Sequence, residues 1–185
     1  LPYIYFSAFH SVSRKMPVFT VSNINREHWI PATRAGDFVQ DERIAEEAQL
    51  STILYKDLNK KQSDNARKMD KGHMVRREDV QWDPNKDKEK AIEAAEATFF
   101  YTNACPQHHA VNGMGGIWYN LESSILVRGR SKETKKAIVF SGPILADNDP
   151  WLVLEKLDDE IRCPLKFWKV VYYVSPENEL RRAAF

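Results

Sequence analysis

The most strongly patterned parts of the chain lie towards its two ends, and both ask for strands. Residues 3–12 (Tyr-Ile-Tyr-Phe-Ser-Ala-Phe-His-Ser-Val) are rich in aromatic and β-branched types, and Val18 to Ile24 alternates apolar with polar. The polar run Ser13 to Pro17 between them reads as a hairpin loop. Far downstream, Ala137 to Ser141 and Leu165 to Val174 carry strand composition, ended by Gly142-Pro143 and Ser175-Pro176. Strands in both halves with helix-like segments between them predict an α+β fold with a mixed, mainly antiparallel β-sheet core.

The middle of the chain is read less directly. Asp41 to Tyr55 has a helical period through Ile44, Ala48, Thr52 and Tyr55, with Asp41 as cap and its acids on a solvated face. Glu89 to Ala97 favours helix, and Thr98 to Thr102 is composed like a strand. Asn103 to Gly116, with Pro106 and several glycines, reads as a loop. Ile117 to about Val127 suits an amphipathic helix.

A length of 185 residues is enough for one well-cored domain, taken as 1–185. The net charge of +1 supplies no global field for a polyanion, so any nucleic-acid contact must come from local patches. Such patches exist. Residues 66–77 hold Arg67, Lys68, Lys71, Arg76 and Arg77 against the single acid Asp70, and residues 128–136 are similarly basic. No apolar run is long enough to span a bilayer, so no membrane partner is expected. Leu1 to Phe9 lacks the charged leader and long apolar core of a secretory signal, and the compartment stays open. The two cysteines, Cys105 and Cys163, define no disulfide framework, and whether they pair stays open.

One constellation carries chemistry. Cutting a phosphodiester needs a base for the water, neutralisation of charge on the phosphate and stabilisation of the leaving oxygen. A histidine is a suitable base at neutral pH, and a hard, hydrated divalent cation supplies the charge. Asp70-Lys71-Gly72-His73 offers the histidine, with Gly72 allowing close backbone approach and Asp70 able to position a neighbour. Asn112 enters the helix that holds Trp118 and Glu122, which are four apart and share a face. Its carbonyl plus waters would suffice to place a cation, with Glu122 accepting from those waters. Arg34, in an irregular stretch, reads on its own as a solvated arginine. His108-His109 suggests a transition-metal site with Asp70 or His73, but adjacent side chains diverge and no supporting cysteine or acid sits at ligand spacing.

Taken together, these motifs resemble the DNA/RNA non-specific endonuclease family, which includes secreted bacterial nucleases and endonuclease G and has a ββα-metal (His-Me finger) site. The family's Asp-Arg-Gly-His is matched by Asp70-Lys71-Gly72-His73, and its Ser/Thr-Asn-x-x-Pro-Gln by Thr102-Asn103-Ala104-Cys105-Pro106-Gln107. The family's metal-binding asparagine, nine residues on, falls on Asn112, and its Trp-x-x-Leu-Glu on Trp118 to Glu122. Gly-His-Met-Val-Arg-Arg and Phe-Trp-Lys-Val also resemble bacterial members. The resemblance implies that His73 is the general base and that Asn112 is the direct ligand of Mg²⁺, with Mn²⁺ as a substitute. It further implies that Glu122 holds a metal water, that Arg34 contacts phosphate and that Asn103 supports the site. Lys71, Arg76 and Arg77 are expected to bind substrate; Asp70, Gly72 and Trp118 are expected to be structural. Expected substrates are DNA and RNA, cut to 5′-phosphate and 3′-hydroxyl ends.

Two departures stand out. Lys71 replaces the family's arginine, keeping the charge and losing the planar fork. The Asn112–Trp118 spacing is about two residues longer, filled by Gly113-Met114-Gly115-Gly116. These motivate an alternative, a catalytically weak nucleic-acid-binding module. A nuclease effector domain of a larger toxin or defence protein is another. A homodimer and an inhibitor or sensing domain stay open as partners.

Overall fold

In the computed structural model the described residues are 1–33, 36–60, 68–128, 135–154 and 160–185. Six strands form an antiparallel sheet in the order β1-β2-β3-β6-β7-β8. They are β1 (Pro2–Tyr3), β2 (Phe6–Ser11), β3 (Met16–Asn25), β6 (Lys136–Ile144), β7 (Lys166–Val174) and β8 (Leu180–Ala184). The pairing of β3 with β6, Thr20 opposite Ser141 through Asn25 opposite Lys136, joins the two halves of the chain. A separate two-stranded ribbon pairs β4 (Met69–His73) with β5 (Ala104–His108), Gly72 facing Cys105 and His73 facing Ala104. The helices are α1 (Thr52–Leu58), α2 (Lys88–Glu96), the short α3 (His109–Asn112) and α4 (Ile117–Arg128). Among the described residues no helix is long and apolar enough to cross a membrane.

The expected hairpin forms as β2 and β3, and α2, α4, β6 and β7 form where pattern placed them. The alternation of β3 and β7 buries one row of each. On the inner row of the sheet Ile24, Val139 and Val171 cluster with Ile125 of α4. A second cluster, built on Met16, Phe38, Leu54, Met74, Phe99 and Tyr101, fills the space by the ribbon. Cys105 and Cys163 are buried free thiols, and burial pushes both up from the ordinary range.

Three segments differ from the sequence pattern. The helix expected over 41–55 begins only at Thr52, where the Ser51 hydroxyl accepts from Leu54 N at 3.3 Å. Asp41 is not on a solvated face. It is buried and accepts from the Tyr3 hydroxyl (2.5 Å) and from Arg43 Nε (2.8 Å) and Nη2 (2.6 Å). The Gln49 side-chain amide accepts from Asp41 N and donates to Asp41 O, satisfying the backbone that a helix would otherwise satisfy.

The strand expected over 98–102 is instead two 3₁₀ turns, Ala97–Phe99 and Tyr101–Asn103. Their aromatic and β-branched composition reflects burial: Thr98, Phe99, Tyr101 and Thr102 are all inside. The loop expected from Asn103 is replaced by β5 and α3. β8, which follows Ser175-Pro176, has no counterpart in the sequence reading.

Burial pulls the Asp41 carboxyl up, but hydrogen bonds from Arg43 and Tyr3 outweigh it and hold the group at about 2. The Arg43 side of this pair is half exposed, which weakens the ion pair but not the hydrogen bonds. Asp41→Asn is expected to destabilise the fold by about 2 kcal/mol, read from urea unfolding near pH 7. The loss should shrink as pH falls through the low folded pKa, because the wild-type stabilisation disappears there.

Candidate active site

His73 closes β4, and the residues around it are held by three sets of contacts. The first comes from its own strand. Alternation along β4 sends Lys71 and His73 to one face and Asp70 and Gly72 to the other. On the first face the His73 ring lies 4.6 Å from the Phe38 ring and 5.0 Å from the Phe99 ring, which it meets edge-on. Lys71 Nζ pairs with Asp37 at 2.9 Å and sits 5.5 Å from the Phe38 ring. Gly72 lies directly beneath the buried Gln107 side chain: a Cβ there would meet Gln107 Oε1 at 2.0 Å. The packing of the Gln107 side chain across β4 therefore requires glycine at 72.

The second set holds the chain just after His73. Asn103, fully buried, accepts from Val75 N at 2.9 Å and donates to the carbonyls of Val75 (3.0 Å) and Thr98 (2.9 Å). Met74 N donates to Asn103 O at 2.9 Å. Asn103 is thus a brace for the backbone that presents His73, and its complete burial keeps it from contact with a substrate. Lys169 of β7 reaches the same segment. Its ammonium donates to Met74 O (3.1 Å) and Ser141 Oγ (3.0 Å), pairs with Glu122 Oε1 (3.2 Å) and lies 4.6 Å from the Trp118 ring. Lys169 is 1% exposed, so its charge is fully committed inside the protein.

The sequence reading notes Lys169 only within the run Phe167-Trp168-Lys169-Val170 and gives it no role. Its signal was parity: it shares a row with Val171 and Tyr173, the row that turns towards the core. Burial pushes the Glu122 carboxyl up, with Lys169 and Arg76 pulling against it. Asp79, also buried nearby, is pushed up to about 6 by desolvation against the pull of Lys169.

The third set joins β4 to α3. The Asp70 carboxylate accepts from His109 Nδ1 (2.9 Å) and from Asn112 Nδ2 (3.1 Å). An ionised carboxylate only accepts, so the Asn112 NH₂ must face Asp70, and the carbonyl oxygen is left as the outward ligand atom. No described protein group is bonded to that oxygen. A hard cation takes such an oxygen readily, so Asn112 fits a hydrated divalent ion. Among the described residues no three His, Cys, Asp or Glu side chains converge as a metal cage.

The expected basic residues are placed differently from one another. Arg34 lies outside the described residues, as do Arg67 and most of the 128–136 patch. The segments flanking Arg34 are anchored beside His73: Arg77 donates to the carbonyls of Ala32 (3.1 Å) and Thr33 (2.9 Å), and Lys71 takes Asp37. Arg76 pairs with Glu78 at 2.5 Å and lies 5.6 Å from the Tyr119 ring of α4. Each of these three cations therefore has a partner within the protein.

A β-ribbon followed by a helix, carrying histidine on the first strand, asparagine before the helix and glutamate within it, on an antiparallel α+β core, is the architecture of a ββα-metal nuclease. The model of the DNA/RNA non-specific endonuclease family matches residues 1–185, and the chain belongs to that family.

The fold is similar to a chain in the crystal structure of the EndoG/EndoGI complex, with a TM-score of 0.74 and 18% identity, over 100% of this chain and 71% of that one. The chain is 32% identical over 177 residues to the protein y4fB of Sinorhizobium fredii, covering 93% of this chain and 24% of that protein. It is 32% identical over 75 residues to a salivary endonuclease of Culex quinquefasciatus, covering 40% of this chain and 20% of that protein. The chain thus spans a quarter or less of the length of these two relatives.

Removing the buried cation tests the framework. Lys169→Met should destabilise the protein by about 3–5 kcal/mol, because it strands the Glu122 carboxyl in the interior. Adding Glu122→Gln should recover part of that loss; equal stability of the single and double variants in chemical denaturation would contradict the pairing. Asp79 gives a separate pH signature. Its folded pKa is raised, so its contribution to stability is present at low pH and lost as pH rises through about 6. Asp79→Asn should therefore gain thermal midpoint relative to the wild type between pH 4 and pH 7.

Proposed function

We propose that the protein is a divalent-metal-dependent endonuclease that hydrolyses DNA and RNA to 5′-phosphate and 3′-hydroxyl ends. The observation that carries the reading is the Asp70–Asn112 bond. It turns an amide oxygen outward on a segment fastened to the strand that ends in His73. In this proposal His73 takes the proton from the attacking water and Asn112 is the protein ligand of a hydrated Mg²⁺, with Mn²⁺ able to substitute. Bound there, the cation would neutralise charge on the scissile phosphate and the leaving oxygen.

The remaining residues serve these two. Asn103 and Lys169 hold the backbone that presents His73, against the aromatic wall of Phe38 and Phe99. Glu122, paired with Lys169, accepts from metal-bound water. Trp118 screens that ion pair from solvent. Arg34 meets the phosphate, and Lys71 and Arg77 anchor the stretch that carries it. Phosphate contact by Arg76 would require its release from Glu78. The similar complex is titled for inhibition of EndoG by EndoGI, and a protein inhibitor belongs to the same proposal as a partner.

His73→Ala is expected to lower cleavage of both plasmid DNA and RNA by roughly 10²–10⁴-fold with the fold intact. Excess EDTA should stop the wild-type reaction, and added Mg²⁺ should restore it. Undiminished nicking in the variant would remove His73 from the mechanism. Binding without nicking by the wild type in Mg²⁺ would favour a nucleic-acid-binding module instead.

A further inference from the structure

The Asp70 carboxylate has a second partner that lies outside the motifs quoted above, His109. His109 opens α3, and three bonds fix it: its backbone N donates to Lys68 O at 2.8 Å, its carbonyl accepts from Gly113 N at 2.6 Å, and its Nδ1 faces both Asp70 oxygens at 2.9 and 3.0 Å. Because the carboxylate only accepts, Nδ1 carries the hydrogen and the tautomer is set. The other ring nitrogen lies over Gly113, where a Cβ would come within 2.7 Å of Nε2 and of the His109 carbonyl. Gly113 has φ −65°, a conformation open to any residue, so glycine is needed there for space and not for backbone freedom. Gly113, the first residue of the spacing after Asn112, thus makes room for the imidazole that grips Asp70.

We propose that His109 is a positioning residue for Asn112: by donating from Nδ1 to Asp70 it fixes the carboxylate that holds the Asn112 amide, and so sets the direction of the Asn112 carbonyl oxygen. The inference rests on the reading of Asn112 as a cation ligand. Side chains that orient a metal ligand by hydrogen bonding are worth a measurable part of the affinity, as in the histidine–carboxylate pairs of many metal sites. Asp70 alone could rotate about its side-chain torsions; with His109 bonded to it, the oxygen that receives Asn112 is held in place.

The test is calorimetric titration of the whole protein with Mn²⁺ in the absence of nucleic acid, with thermal melting to confirm folding. Asn112→Ala should abolish the Mn²⁺ isotherm; if it binds as the wild type does, the ligand assignment fails and this inference falls with it. Given an Asn112-dependent isotherm, His109→Ala should weaken Mn²⁺ binding by ~10-fold. His109→Asn, whose amide NH₂ stands near the place of Nδ1, should bind close to the wild type. Wild-type affinity in His109→Ala would overturn the proposal while leaving the ligand assignment standing. So would a His109→Asn protein as weak as His109→Ala, because the ring's packing on Gly113, and not its hydrogen bond, would then be what matters.

Discussion

The buried ammonium of Lys169 is the interaction on which the rest of this structure depends. A lone cation taken out of water is costly, and it is tolerated only where its surroundings are complete. Here a carbonyl, a hydroxyl, a carboxylate and an indole face surround it. These four belong to the segment after His73, to β6 and, for the last two, to α4. The sheet, the ribbon and the helix are therefore fastened at one point. Displacement of any one of them strips the buried charge of part of its shell. This is a stronger constraint on geometry than apolar packing, which tolerates sliding.

Around that point the site is assembled from backbone braces more than from free charges. Asn103 takes over bonds that a regular strand would make, and so lets two 3₁₀ turns lie beneath the ribbon. Asp70 performs the matching task on the other face of β4. The cations expected to wait for phosphate are largely engaged within the protein: Lys71 with Asp37, Arg76 with Glu78, Arg77 with two carbonyls. A surface that looks basic in one dimension is partly a set of tethers in three.

The legible parts of the sequence were those where one physical demand dominates. The hairpin of β2 and β3, and the strands β6 and β7, follow from alternation, because each buries one face. The order of the histidine, asparagine and glutamate motifs gave the family and its ββα motif, although β5 itself reads as a loop. What was hidden depended on partners distant in sequence. Asp41 reads as a helix cap until Tyr3 and Gln49 are seen to take it. Thr98 to Thr102 reads as a strand because burial and strand pairing select the same residues. His109 reads as half of a diverging histidine pair; the structure shows that divergence is what frees one of the two for Asp70.

The place of Lys169 in the chain has a consequence for biosynthesis. Every residue of the proposed active site precedes position 123, yet the cation that seats Glu122 and the His73 backbone arrives on β7, and β6, which pairs with β3, also comes late. A ribosome that has exposed residues 1–122 has released all the motifs of the family without the means to assemble the proposed site. A cell making this protein would meet the assembled site only after β7 has been made. Premature termination before β7 would yield fragments that carry the signature of the family but not the geometry of the proposed site.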